Sequence, residues 1–246
     1  MKSLADLRVK LFADGADRAA LIELYANPLI AGFTTNPTLM RKAGVTDYRR
    51  FAHELLALVR DRPISFEVFA DEFGEMEEQA LEIASWADNV FVKIPITNCR
   101  GEPSHDLLRR LAAAGVRVNA TALMTVQQVE SVAACLENGP AGFVSLFAGR
   151  IADTGRDPVP YVAEAVAVLA SYRNLELIWA SPRELLNIFQ ADAVGCHVIT
   201  ATTEILSKLH IVGKDLGEFS LETVKMFYDD AAAAGYAFAP ELVAPE

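Results

Sequence analysis

The chain has 246 residues, 52% of them hydrophobic and 22% charged, with Asp+Glu 33 against Lys+Arg 22 and a net charge of -11. That length fits one large α/β unit and excludes three domains. The acidic balance argues against a nucleic-acid binder, which needs a basic face to displace counterions, and against adhesion to an anionic membrane.

From the N-terminus, Met1 to Lys10 is charged throughout, with no apolar stretch of the kind that makes a signal peptide. Short apolar runs then alternate with longer amphipathic ones. Strands are predicted at Val9–Ala13, Leu29–Thr34, Ile64–Phe69, Val90–Pro95, Val116–Thr121, Gly142–Phe147, Leu175–Ala180 and Gly195–Ile199. They are apolar nearly throughout, as parallel strands covered on both faces are. Between them, Asp71–Ala87 and Thr125–Leu136 carry apolar residues near a 3.6 spacing, and Pro158 opens a helix that buries Val162, Val166 and Leu169. Ser181-Pro182-Arg183-Glu184 reads as a helix start, with an N-cap Ser, Pro at N1 and Glu at N3. Eight β-then-α units favour an α/β fold of the (β/α)8 TIM-barrel class, read as a single domain over residues 1–246. The rival is an open doubly wound sheet, but no GxGxxG occurs. A tail of about 217–246 remains, in which Ser220–Ala234 forms an extra C-terminal helix, with Phe219 and Val224 spaced as a hydrophobic staple around Ser220. Leu221, Val224, Tyr228 and Ala231 share one face, so this helix is expected to cover a barrel end or a neighbouring subunit.

In a barrel, chemistry collects where strands end. Those ends carry, in order, Asp14, then Thr34-Thr35-Asn36-Pro37, Glu67, Lys93, Asn119 with Thr121, Ser145 with Phe147 and Arg150, and Ser181 with Arg183. Lys93 stands inside the apolar strand Val90-Phe91-Val92-Lys93-Ile94-Pro95. Burial lowers a lysine's pKa and exposes a nucleophilic amine suited to a Schiff base; a structural lysine paired with Glu67 or Asp14 is the alternative. Bland alternatives exist for the others too. Asp14 is placed to cap a following helix, Asn36 to form an Asx-turn before Pro37, Arg150 to pair with Asp153 and Phe147 to pack at a strand end. Arg150 and Arg183 offer fork-shaped donors to a phosphate, and Ser181 is read as lying at a helix N-terminus, where free N–H groups favour an anion. His53, His105, His197 and His210 form no metal-ligand spacing, so no metal is expected, and no cofactor is called for. Cys196-His197 is read as part of a strand, where neighbours face opposite ways, and so not as a dyad. The three cysteines are widely spaced and odd in number, which suits a reducing cytoplasm.

Gly32-Phe33-Thr34-Thr35-Asn36-Pro37-Thr38, Val92-Lys93-Ile94-Pro95, Ser145-Leu146-Phe147-Ala148-Gly149-Arg150-Ile151-Ala152-Asp153 and Ala180-Ser181-Pro182-Arg183 occur in that order. The set resembles the signatures of the transaldolase family, in its small subfamily that includes fructose-6-phosphate aldolases. The resemblance implies a metal-free class I mechanism on sugar phosphates, with Lys93 as the Schiff-base lysine. It implies Asp14 as the acid/base at the C4 hydroxyl, and Glu67 and Thr121 as the pair that handles a catalytic water. It further implies Thr34, Asn36, Asn119 and Ser145 around the dihydroxyacetone unit, and Arg150, Ser181 and Arg183 at the phosphate. In the aldolase members the position matching Phe147 is Tyr and that matching Glu67 is Gln, so the resemblance points to a transferase. A fructose-6-phosphate aldolase and a catalytically silent sugar-phosphate-binding barrel are the other readings. The family's small members also imply a homo-oligomer, a pentameric ring or a decamer of two rings, built on the C-terminal helix.

Overall fold

The computed structural model describes residues 3–236 and 238. Eight parallel strands close into a barrel in sequential order. They are β1 (Lys10–Asp14), β2 (Ile30–Thr34), β3 (Ile64–Glu67), β4 (Val90–Pro95), β5 (Val118–Leu123), β6 (Gly142–Leu146), β7 (Leu175–Trp179) and β8 (Val198–Thr202). The helices are α1 (Arg18–Ala26), α2 (Pro37–Lys42), α3 (Tyr48–Leu58), α4 (Phe73–Ala84), α5 (His105–Ala113), α6 (Val126–Leu136), α7 (Ala148–Asp153), α8 (Val159–Leu169), α9 (Leu186–Ala193), α10 (Thr203–Leu206) and α11 (Leu216–Ala233). This is a (β/α)8 TIM barrel followed by a C-terminal helix, and β4 has the predicted limits.

Local chemistry explains the starts of the helices. Asp17 and Asp47 accept the Ala20 and Arg50 amides at the heads of α1 and α3, and Thr125 with Gln128 forms a capping box on α6. Each outer helix then turns an apolar face to the sheet, such as Met76, Ala80 and Ile83 on α4 and Leu107, Leu108 and Leu111 on α5. Val166 of α8 is only half-buried, whereas Val162 and Leu169 are buried as expected.

Strand register decides what the barrel interior contains. Asp14 lies opposite Thr34, and Thr34 opposite Ser65; Glu67 lies opposite Lys93, and Lys93 opposite Asn119. Side chains alternate along a strand, so these polar rows sit two residues above an apolar floor of Phe12, Phe91, Phe143, Ile178 and Val198. Phe143 meets Phe91 at 4.4 Å and Phe12 at 5.5 Å between ring centroids. One end of the barrel is thereby plugged, and the polar groups collect at the C-terminal end of the strands.

Several sequence expectations are corrected. β8 begins at Val198 rather than Gly195, because Gly195 holds a left-handed φ of +76° in the turn that ends α9. Cys196 and His197 therefore precede the strand, and His197 Nδ1 accepts the Leu177 amide. β5 runs on to Leu123 through an irregularity at which Ala122 takes a φ of +66°. The helix after β7 starts at Leu186, not after Ser181. Ser181 has a φ of +57°, and Asn187 Oδ1 accepts the amides of Arg183 and Glu184 in the role expected of Ser181. α11 is capped by Asp215, not Ser220. Its apolar residues cover no barrel end, since Leu221, Val224 and Tyr228 are 55%, 60% and 75% exposed. Of the predicted tail, residues 237 and 239–246 lie outside those described.

Candidate active site

All twelve site residues named from the sequence line one cavity of about 520 Å³ at the C-terminal end of the barrel. Its base is a buried ion pair. Lys93 is 8% exposed and Glu67 5%, and Lys93 Nζ lies 3.2 Å from Glu67 Oε2 while donating to the Thr35 carbonyl. The pair arises directly from the β3–β4 register. Burial pushes the Glu67 carboxyl above its usual range, while the Lys93 ammonium pulls the other way. Thr35 has one hydroxyl hydrogen and gives it to the Ser65 carbonyl at 2.9 Å, leaving a longer 3.4 Å contact to Glu67 Oε2. Glu67 Oε1 and Thr121 Oγ1 are both buried without a hydrogen-bond partner. Two orphaned acceptors in one polar cavity are the places where a bound hydroxyl or a water gains most.

Asp14 does not cap α1; Asp17 does that. Its Oδ1 accepts from the Thr34 hydroxyl at 2.8 Å and its Oδ2 from Asn36 Nδ2 at 3.0 Å. Burial raises its pKa, and Lys93, Thr34 and Asn36 oppose that rise in this order. Asn36 also serves the bland role, because its Oδ1 caps α2 through the Leu39 amide at 2.8 Å. One side chain thus ties the start of a helix to the position of a carboxylate. Across the cavity, Asn119 accepts the Ser145 hydroxyl proton at 2.7 Å and donates to Ser65 Oγ at 3.0 Å. That leaves Asn119 one free N–H for a ligand and Ser145 only its lone pairs. Phe147 is half-buried and extends the apolar floor up one wall.

At the rim the two guanidinium groups differ. The alternative Arg150–Asp153 pair is not formed; Asp153 is held by Arg183, through Nε at 2.8 Å and a second nitrogen at 2.5 Å. Arg183 also donates to the Ser181 carbonyl at 2.9 Å, so its plane is fixed. Arg150 is exposed and forms no ion pair among the described residues. With α9 starting at Leu186, Ser181 is not at a helix N-terminus, and that part of the anion argument falls. The guanidinium groups carry it instead.

Sequence reasoning missed Thr200 and Thr202 on β8, Ser65 on β3 and the role of the Thr35 backbone. For Thr200 and Thr202 a signal was present in the alternation of Val198-Ile199-Thr200-Ala201-Thr202, hidden by a strand placed three residues early. Among the described residues no group of three or more His, Cys, Asp or Glu is arranged to hold a metal ion. No helix among them is long and apolar enough to cross a membrane.

A family model described as transaldolase/fructose-6-phosphate aldolase matches residues 11–238. A probable transaldolase of Dehalococcoides mccartyi is 33% identical over 202 residues, covering 82% of this chain and 90% of its own length. Probable transaldolase 2 of Listeria monocytogenes is likewise 33% identical over 202 residues, covering 82% of this chain and 88% of its own. Among solved structures, the tryptophan synthase alpha subunit of Campylobacter jejuni superposes with a TM-score of 0.55 at 15% identity, covering 83% of this chain and 90% of that one. This last likeness speaks to the barrel alone.

Proposed function

The chain belongs to the transaldolase/fructose-6-phosphate aldolase family, and from that premise we propose that it is a transaldolase, moving a dihydroxyacetone unit between sugar phosphates through an imine on Lys93. The observation that carries the proposal is the Lys93–Glu67 pair, buried at a cavity floor with the hydrogen-bonded carboxylate of Asp14 lining the same cavity. An amine attacks a ketone only after losing a proton. Glu67, its pKa raised by burial, takes that proton at less cost than an exposed carboxylate would. Lys93 then adds to C2 of the ketose phosphate and water leaves, with Glu67 and Thr121 returning and removing protons at that oxygen. Asp14 removes the C4 hydroxyl proton. The C3–C4 bond breaks, its electrons pass into the iminium, and the aldehyde departs while the enamine stays on Lys93. An acceptor aldehyde takes the enamine carbon and receives the proton held by Asp14. Hydrolysis of the new imine restores the lysine. Asn36 and Asn119 orient the dihydroxyacetone hydroxyls through their remaining N–H groups, and Arg150, with the Nη hydrogens of Arg183 that Asp153 and the Ser181 carbonyl leave free, receives the phosphate.

The second reading, an aldolase that releases dihydroxyacetone, is separated by Phe147. A phenyl ring donates no proton and brings no water to the enamine, so the enamine persists until an acceptor arrives. With fructose 6-phosphate as donor, transfer to erythrose 4-phosphate is expected to exceed release of free dihydroxyacetone by at least about tenfold, the worth of one proton-delivering group being about 10²–10⁴. Phe147→Tyr is expected to shift the ratio toward release. Equal turnover with and without acceptor in the unaltered enzyme establishes the aldolase reading instead.

For assembly we propose a homo-oligomeric ring, seated on α11. This helix buries none of its residues within the chain, and Phe227 and Tyr228 are 63% and 75% exposed. Contiguous apolar surface of that kind marks an interaction face. A second copy is the fitting partner, as in the small transaldolases that the chain resembles. Light scattering at micromolar concentration is expected to give a pentamer or decamer, and truncation after Asp215 a smaller species. A stable monomer of the full chain refutes the ring. Cys99, Cys135 and Cys196 are free thiols, which suits the reducing cytoplasm we propose for the enzyme.

A further inference from the structure

Thr200 projects from β8 into the barrel, is 6% exposed and lines the cavity, yet it has no role in the steps above. Its Oγ1 lies 2.6 Å from Thr34 Oγ1, and Thr34 Oγ1 lies 2.8 Å from Asp14 Oδ1. Proton counting fixes the direction of this chain. An ionised carboxylate only accepts, so Thr34 must give its single hydroxyl hydrogen to Asp14. The oxygen of Thr34 is then free only as an acceptor, and the hydrogen between the two threonines belongs to Thr200. No other hydrogen bond engages the Thr200 hydroxyl among the described residues.

We propose that Thr200 is a positioning residue for the acid/base, the far end of a two-hydroxyl relay that turns the Thr34 proton toward Asp14. Without Thr200 the Thr34 hydroxyl has no partner holding its lone pairs, and its hydrogen is free to rotate away from the carboxylate. With Thr200 present, each bond polarises the next, and the carboxylate form of Asp14 gains from both. When Asp14 takes up the C4 hydroxyl proton, its Oδ1 still carries lone pairs, so Thr34 goes on donating to it and the new proton stays turned to the substrate for return to the acceptor aldehyde. No side chain and no hydroxyl rotor needs to move. The relay therefore serves both protonation states that the reaction visits. β1, β2 and β8 build it by register, since Phe12 pairs with Thr200 and Thr34 with Asp14. The charged groups that act on Asp14 are Lys93, which favours its ionised form, and Glu67, which opposes it. Neither touches Thr200, so their contribution stays constant when Thr200 is changed.

The inference rests on the reading of Asp14 as the proton acceptor in bond cleavage, and the test separates the two. Thr200→Val keeps the shape and removes the hydroxyl; Thr200→Ser restores it, and Thr200→Ala serves if the valine variant does not fold. Expected for Thr200→Val is a three- to tenfold fall in kcat at pH 7. The acid limb of the pH–rate profile should move upward by about 0.5–1 pH unit, the equivalent of weakening one bond to a charged group. Borohydride trapping of fructose 6-phosphate on Lys93 should be retained, and Thr200→Ser should return the limb to its original position. Thr34→Val should shift the limb at least as far, and adding Thr200→Val to it should shift it no further. An unmoved acid limb in Thr200→Val, or additive shifts in the double variant, overturns the relay. So does loss of trapping together with a lowered melting temperature, which marks a structural role. Full activity of Asp14→Asn instead overturns the underlying reading, whatever the Thr200 variants do.

Discussion

Lys93→Met is expected to lower transfer activity by at least about 10³-fold, since among the described residues no other lysine lines the cavity to form the imine. Incubation with fructose 6-phosphate and borohydride should add a reduced adduct to the Lys93 peptide of the unaltered enzyme and to no peptide of the variant. An active Lys93→Met enzyme, or an adduct on another lysine, refutes the assignment. The same substitution carries a stability signature. Methionine fills much of the lysine's volume but leaves Glu67 buried without its cation. The attraction of Lys93 is the largest influence holding the Glu67 pKa down against burial, so removing it raises that pKa further. A carboxyl whose folded pKa exceeds its unfolded value, about 4.3, binds its proton more tightly when folded. Stability then falls as pH rises from that value to the folded pKa, where the unfolded chain has released its proton and the folded one has not. The melting-temperature gap between Lys93→Met and the unaltered protein should therefore be small at pH 5 and widen toward pH 8. Lys93→Met/Glu67→Gln should show a gap that widens less with pH, the remainder coming from Asp14, whose carboxyl Lys93 also holds down. A gap that narrows as pH rises would contradict the account.

The barrel was legible in the sequence because its signal is redundant. Eight apolar runs in alternation with helical periodicity survive errors of a few residues in any one of them, and β4 needed no correction. The polar residues at the strand ends were legible for the same reason: Asp14, Glu67, Lys93 and Asn119 each break an apolar run, and a lone charge in such a run needs a purpose. What failed depended on backbone conformations that residue type does not announce. Ser181-Pro182-Arg183-Glu184 satisfies every local rule for a helix start, yet Ser181 sits at a φ of +57° and the chain stays irregular to Leu186. A contact distant in sequence and a side-chain cap hold the segment instead: the Gly149 amide donates to the Ala180 carbonyl, and Asn187 Oδ1 takes the amides of Arg183 and Glu184. The pairing at the rim was not legible for a similar reason. Arg150 and Asp153 are neighbours at helical spacing, but Asp153 instead reaches across to Arg183, 30 residues away, a partner no local spacing reveals. Thr200 was lost through a three-residue error at one strand, since the identity of an inward residue depends on the phase of a period-two pattern.

The contact between α7 and the Ser181 segment yields the second large effect. Gly149, in the first turn of α7, lies so close to that segment that a Cβ would stand 1.5 Å from the Ser181 carbonyl oxygen and 2.6 Å from its carbon. The Gly149 amide reaches the Ala180 carbonyl at 3.3 Å, so the two stretches are pinned together. Gly149→Ala cannot be absorbed by a flexible side chain, because the opposing atoms are backbone. Either α7 withdraws and takes Arg150 with it, or the segment withdraws and takes Ser181 and Arg183. Both movements open the rim where the proposed phosphate site lies, while Lys93, Glu67 and Asp14 stand on other strands. Gly149→Ala is therefore expected to raise KM for fructose 6-phosphate about 100-fold, close to the loss of one charge-assisted contact at about 2–5 kcal/mol. Borohydride trapping of unphosphorylated dihydroxyacetone on Lys93 should stay within about threefold of the unaltered enzyme. Arg183→Ala should reproduce the effect on KM without the steric cause. In the double variant the two losses should fall well short of adding, since both act on one rim. Equal losses with the phosphorylated and unphosphorylated substrates would show instead that α7 and the Ser181 segment support the whole barrel mouth, and that the guanidinium groups do not make a separate phosphate site.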